Sequence, residues 1–323
     1  MKYISKCGLL ALFLCVSGAV VAQTFPSKPL RLIVPFTAGG PADLYAREMS
    51  QGMSPRLGQS VLVENRGGAG GMLAMEALVK SPPDGYTLVL NPASVLVMAP
   101  FARASLPYDP RKDIALITTV AKNPEILITN TSVPAKNLRE LVAYLKVNPG
   151  KLNYGSTGGG TITHLAVEML KVEAKVNVVH VPYKGAAPVV TDLIAGQVQM
   201  AILGIPVVLP HIKSGRINAL VITSDKRVAS LPEVPTTIES GYPTVQTDYW
   251  YGLIAAAAVP GAIQTRLRAA AVTTLQSSAV QEQFARVGAE AFPSTEEEYR
   301  AFMIAEQAKW GAIIKAIGFK ESD

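Results

Sequence analysis

Cysteine is almost absent: the 323-residue chain has two, Cys7 and Cys15, both at its extreme N-terminus. Charge is also sparse, at 17% of residues, with no run of five or six basic side chains and no aromatic-interleaved basic stretch. That pattern excludes nucleic acid as a partner. The three histidines, His164, His180 and His211, lack metal-ligand spacing such as His-x-x-x-His, so no metal site is expected. No Gly-x-Ser-x-Gly elbow surrounds Ser156, and no Gly-Lys-Ser/Thr follows any glycine-rich turn. A serine-hydrolase elbow and a nucleotide P-loop are thereby excluded, and no cofactor is expected. Beyond residue 22 no stretch approaches eighteen consecutive apolar residues, the length a membrane span needs. What is present is an ordinary apolar fraction, 49%, which excludes disorder and lets a chain of this length bury a large core.

The N-terminus has its own pattern. Lys2 and Lys6 precede an uncharged, mostly apolar run from Cys7 to Ala22, which closes in Val20-Val21-Ala22 before Gln23. A basic start, a short apolar stretch and small residues at the end describe a cleaved secretory signal, residues 1–22. Phe13 and Leu14 before Cys15 do not fit a lipobox. Cleavage removes both cysteines, so the exported chain has no thiol and no disulfide. It keeps 28 basic and 24 acidic residues, a mild net charge of +4.

The rest alternates strand-like and helix-like patterns, which places the fold in the α/β class. Expected strands are Leu30–Val34, Val61–Val63, Tyr86–Leu90, Ile114–Val120, Ile126–Thr129, Val178–Val181, Gln199–Leu203, Ala219–Thr223 and Tyr251–Ala255. Leu138, Leu141, Val142 and Leu145 make a helical stripe, with Asn137 as N-cap, Glu140 three residues on and Pro149-Gly150 as the stop. Ile162, Leu165, Ala166 and Met169 repeat the spacing, and a long stripe runs from Tyr299 to Ile317. Two zones read as turn-rich: one around Asn123-Pro124, the other from Leu231 to Pro243.

Glycine and small hydroxyl residues collect at strand-to-helix turns, where open α/β sheets place ligands. The first such turn is Pro35-Phe36-Thr37-Ala38-Gly39-Gly40, with Pro41 fitting the first helical position and Asp43 the first turn. The second, Asn65-Arg66-Gly67-Gly68-Ala69-Gly70-Gly71, fails the dinucleotide spacing at Leu73. The third, Asn153-Tyr154-Gly155-Ser156-Thr157-Gly158-Gly159-Gly160-Thr161, is the strongest signal: N–H groups and hydroxyls at a helix N-terminus form an anion cradle. His164 projects from the first turn of that helix. The fourth is Val181 to Pro188, with Tyr183, Lys184, Gly185 and Ala187. His180, in an apolar strand, reads as a core residue.

Taken together, "PSKPLRLIVPFTAGGPAD", "LGQSVLVENRGGAGG", "PDGYTL", "LPYDPRKDI", "PGKLNYGSTGGGTITHLAVE" and "VHVPYKGAAPVVTDLIAGQVQM" closely resemble the Bug family of periplasmic solute-binding proteins. These are receptors of tripartite tricarboxylate transporters, and the likeness runs from Phe25 to the C-terminus. The resemblance implies a type II periplasmic-binding-protein fold, two α/β lobes joined by two crossover strands, with lobe 1 formed by residues 23–123 plus 249–323 and lobe 2 by 124–248. The crossovers are expected near Val120–Pro124 and Thr247–Gly252. Carried over by position, lobe 1 contributes Phe36, Thr37, Ala38, Gly39, Asn91 and Ser94 to the ligand. Lobe 2 contributes Ser156, Thr157, Gly158, Gly160, Thr161, His164, Tyr183, Lys184, Gly185, Ala187 and Gly204. Relatives often carry a polar or acidic group where this chain reads Leu203-Gly204-Ile205-Pro206, so that wall is expected to be apolar. In the aromatic segment Asp248-Tyr249-Trp250-Tyr251, Tyr249 stacking on an extended or aromatic acid and Asp248 pairing with an ammonium group point to different ligands.

The resemblance further implies a monomeric periplasmic receptor that binds a small carboxylated solute (a di- or tricarboxylate, an aromatic acid or an amino acid) and delivers it to integral-membrane permease subunits by hinge closure. A ligand-sensing partner of a membrane kinase and an exported hydrolase using Ser156 are the alternatives.

Overall fold

The computed structural model describes residues 25–320; the expected leader, residues 1–22, lies outside the described residues. The chain opens with β1 (Leu30–Val34), four apolar residues around one arginine. The apolar side chains are fully buried, while Arg31 turns outward to Glu64, Nη2 to Oε2 at 2.7 Å. Pro41 then starts α1 (Pro41–Leu57) at its first turn, and Gly58, in the left-handed conformation, ends it by donating to Ser54 O. Tyr45, Met49 and Met53 recur every four residues and are all buried, the one-sided face a packed helix needs. β2 (Val61–Asn65), α2 (Met72–Val79) and β3 (Thr87–Pro92) follow, with β2 and β3 parallel to β1 on either side. A short α3 (Ala99–Ala102) leads to the first crossover.

That crossover is β4 (Ile114–Asn130), a single 17-residue strand that belongs to two sheets. Its first part pairs antiparallel with β9, from Ile114 opposite Ala256 to Pro124 opposite Asp248. Its second part pairs with β7, from Glu125 opposite Gly204 to Thr129 opposite Met200, and with β8. The turn expected around Asn123-Pro124 is therefore continuous strand. Proline survives there because the ladder changes partners at that step. The chain then builds the second lobe: α4 (Leu138–Val147), β5 (Asn153–Ser156), α5 (Ile162–Ala174), β6 (Val179–Pro182), α6 (Ala186–Ile194), β7 (Met200–Gly204), α7 (Ile205–Lys213) and β8 (Ile217–Ile222). The cap expected at α4 is formed: Asn137 Oδ1 accepts from Glu140 N at 2.9 Å. β5 lies between β6 and β7, parallel to both.

β9 (Asp248–Ala256) returns to the first lobe, completing its sheet between β3 and β4. There follow α8 (Gly261–Leu275), α9 (Ser278–Arg286), the two-residue β10 (Glu290–Ala291) and α10 (Glu296–Ile317). Thr295 and Glu298 cap α10 reciprocally. Tyr299 and Trp310 bury its inner face in the first lobe, and Phe319 beyond its end meets His164 of the second lobe edge-on. One apolar cluster runs through the first lobe and on under α4 and α5. A second, built on Ile126, Ile128, Leu193, Leu203 and Val208, fills the other face of the second sheet. No helix among the described residues is long and apolar enough to cross a membrane.

Candidate functional site

The turn after β1 and the turn after β6 meet across the seam between the lobes. Thr37 N donates to Lys184 O at 3.1 Å. A Cβ added at Gly185 would stand 2.4 Å from Thr37 Oγ1, and one at Gly67 2.8 Å from Lys184 O. The Ala69–Gly71 turn closes on the glycine turn of lobe 2 in the same way, with a Cβ at Gly70 falling 2.8 Å from Gly159 O. Glycine is required at these positions because two backbones approach closely. The lobes are shut against each other, and the stretches around Thr37 and Ser156 face one gap.

Behind these contacts Phe36, Gly40, Thr157, Gly204, Tyr249 and Tyr251 line a seam cavity of about 10 Å³, room for at most a single water. Hydroxyls around the seam are buried with no close hydrogen bond: Thr37 Oγ1, Ser94 Oγ and the Tyr249 hydroxyl, the last two being neighbours of each other. Unsatisfied buried hydroxyls are rare and need a reason. Burial pushes the Tyr249 hydroxyl far above its ordinary range, so it stays a neutral donor. Tyr249 meets Tyr251 edge-on at 4.8 Å between centroids, and Tyr251 packs on Tyr45.

Other expected residues fall elsewhere. Asn91 is fully buried but stands opposite Gly252, on the face that carries Tyr299, while Tyr249 and Tyr251 point to the other face. Asp248 projects away from Tyr249 into a separate groove with Lys122, Ser224 and Asp225. Ala38 and Gly39 are exposed. Gly39 N donates to Asp43 Oδ2 at 3.1 Å, and Asp43 is held by Arg47 at 3.0 Å. Burial pushes the Asp43 carboxyl up, but Arg47, Gly39 N–H and Asn65 outweigh it and hold it below the usual range. Asp43 thus organises the first turn of α1. Ala187 packs opposite Gly39.

In the third turn many donors are spent internally. Thr157 N donates to Thr163 Oγ1 at 2.9 Å, Gly158 N to Ser156 Oγ at 3.2 Å, and Gly160 N to His164 Nδ1 at 3.2 Å. Thr161 Oγ1 donates to Gly158 O at 2.7 Å. The expected cradle of free hydroxyls is instead a knot that fixes the loop's shape.

His180 is not the core residue expected from its strand. It lines an outer cavity of about 400 Å³ with Gly70, Gly158, His164, Tyr183 and Lys184. His180 Nε2 lies 2.6 Å from Ser156 Oγ, and its ring stacks on His164 at 3.6 Å between centroids. Serine and histidine at that distance resemble a nucleophile and its base. Burial and the neighbouring His164 push the imidazole down to about 3, which weakens it as a base. Glu168 braces the group by accepting from Tyr154 at 2.6 Å and Lys171 at 2.8 Å. Burial opposes its ionisation, yet these partners and His164 hold Glu168 at about 2. Tyr183 donates to Asp192 at 2.7 Å; burial and that carboxylate push it up to about 12. Lys184 enters the seam through its carbonyl, and its side chain is exposed.

Sequence reasoning missed Glu125. It is fully buried on β4 directly opposite Gly204, one strand away from the wall that Leu203 and Gly204 form. Its Oε2 accepts from Thr247 Oγ1 at 2.7 Å and its Oε1 has no partner.

Two lobes sharing crossover strands, shut over a seam of uncharged donors, have the architecture of a two-lobe solute receptor. The model of the tripartite tricarboxylate transporter family receptor matches residues 45–319, and the chain belongs to that family. It is 35% identical over 306 residues to the protein BugT of Bordetella pertussis, covering 94% of each chain. An R. palustris protein solved with adipate superposes with a TM-score of 0.88 at 31% identity, covering 92% of this chain and 99% of that one. MatC from Rhodopseudomonas palustris with bound malate gives a TM-score of 0.86 at 30% identity, covering 90% of this chain and 100% of that one.

Proposed function

We propose that the protein binds a small carboxylated solute at the seam between its lobes, in the periplasm after its leader is removed. As a monomer, it then delivers the solute to integral-membrane permease subunits. The observation that carries this reading is the set of buried hydroxyls of Thr37, Ser94 and Tyr249, none in a close hydrogen bond, around one closed seam. A carboxylate supplies acceptors to such donors, and closure strengthens each bond by removing water. The seam cavity of about 10 Å³ is far smaller than a dicarboxylate, so binding requires the lobes to part about β4 and β9, a hinge motion. Relatives of the same fold hold adipate and malate.

Thermal shift with mono-, di- and tricarboxylates and aromatic acids tests this. A matching acid at about 100 times its Kd stabilises the fold by about 2.7 kcal/mol, which raises Tm by several degrees at this size. No shift with any of them overturns the reading.

A further inference from the structure

Glu125 stands where the two sheets exchange strands. Its backbone pairs with Gly204, which lines the seam cavity, and its side chain lies on the same face as Tyr249 and Tyr251. The groups packed around it come from every adjoining element. Thr247 binds its Oε2 and also contacts Thr223 Oγ1 at 3.0 Å. Tyr249 and Tyr251 face it from β9, Asn123 stands two residues earlier with its Oδ1 taken by Tyr45, and Asp248 lies behind on the reverse face. None of these is a cation, and among the described residues no basic side chain pairs with Glu125. A carboxylate buried without a cation is strongly disfavoured, whereas a neutral acid there needs only an acceptor for its O–H.

Resting on the carboxylate-binding reading, we propose that Glu125 determines specificity: as a neutral carboxylic acid it donates an O–H hydrogen bond from Oε1 to one carboxylate of the ligand, so the seam selects small dicarboxylates over their α-amino counterparts. Thr247 fixes the orientation by occupying Oε2. The bond is charge-assisted and short-range, stronger than one between neutral groups. The α-amino counterpart keeps that carboxylate but sets an ammonium group beside it, where the O–H donor offers no acceptor. Burial, with nearby Asp248 adding to it, pushes Glu125 up to about 8, so it remains protonated at neutral pH despite the hydrogen bond from Thr247.

Two matched pairs of probes separate the possibilities: malate against aspartate, and adipate against 2-aminoadipate. Isothermal titration of the mature chain and of Glu125→Gln is run from pH 6 to 9. The diacid is expected to bind the native protein at least about tenfold more tightly than its amino partner at pH 7. Diacid affinity stays level to pH 7 and falls toward tenfold per unit above about pH 8. Glu125→Gln keeps a donor of the same shape, so its diacid affinity stays within about fivefold at pH 7 and becomes flat to pH 9. Titration of the native protein in two buffers of different ionisation heat adds a readout free of any substitution: uptake of close to one proton per diacid at pH 9. Tighter binding of aspartate or 2-aminoadipate, a pH slope unchanged in Glu125→Gln, or no proton uptake would each overturn the assignment. Binding of no probe to the native protein overturns the carboxylate reading itself, a result distinct from diacid binding that ignores residue 125.

Discussion

Thr37 and Lys184 join the two lobes through one backbone hydrogen bond, N to O at 3.1 Å, beside the point where Gly185 faces the Thr37 hydroxyl. A methyl group at residue 185 would fall 2.4 Å from that oxygen. Gly185→Ala is therefore expected to hold the lobes apart. Because the contact lies between the lobes, the fold survives with Tm lowered by a few degrees. Affinity for a bound dicarboxylate falls at least about tenfold, about 1.4 kcal/mol. Small-angle scattering and titration check both parts; native affinity in the variant would show that this contact does not limit closure.

Tyr249→Phe removes a buried hydroxyl that makes no close hydrogen bond in the closed structure, with Ser94, Tyr251 and Thr157 as its polar neighbours. Loss of an unsatisfied polar group is neutral or stabilising, so Tm without ligand stays the same or rises. If the hydroxyl donates to the ligand, dicarboxylate affinity falls about tenfold. A drop in Tm with unchanged affinity would place the hydroxyl's role in the fold instead.

The pattern of small hydroxyl and glycine residues made the seam turns legible, because backbones that touch leave a local compositional trace. Asn137, Pro41 and the stripe of α10 were legible for the same reason: caps and helical periods are local. What depended on partners distant in the chain was not. β4 reads as two strands because Lys122-Asn123-Pro124 resembles a turn, and only its exchange of neighbours keeps it extended. β5 is Asn-Tyr-Gly-Ser, poor in strand formers, and is held by β6 and β7 on its two sides. His180 gives no hint of Ser156, 24 residues away, or of the stacked His164. Glu125 follows a proline in a polar stretch and looks solvated; its burial comes from residues 122 positions later.

Gly252 tests the first lobe. A Cβ there would stand 2.0 Å from the Tyr299 hydroxyl, in a fully buried contact between β9 and α10. Gly252→Ala is expected to destabilise the protein by about 1–3 kcal/mol through overpacking. Denaturant titration measures it, and Tyr299→Phe in the same chain recovers part of the loss by removing the obstructing oxygen. No destabilisation would contradict the packing described.

His180 predicts a pH effect of definite sign. Folded, it resists protonation until about pH 3, because burial and His164 disfavour the cation. The unfolded chain takes up that proton near its ordinary value of 6.5. Stability is thus fully present above about pH 6.5 and is lost as pH falls from there toward 3. Melting curves of the native protein and His180→Gln between pH 7.5 and 4 are expected to converge on acidification, the native Tm falling more steeply. Parallel curves would contradict a neutral, buried imidazole.

Hinge closure on a dicarboxylate is measured most directly as a distance between the lobes. Residues 25–320 contain no cysteine, so Lys80→Cys and Lys146→Cys place two spin labels on exposed sites, one in each lobe. Pulsed dipolar spectroscopy is then recorded with and without saturating adipate or malate. The expected result is a broad distribution that narrows to one distance when the ligand binds. A distribution unchanged at saturation would contradict closure around the solute.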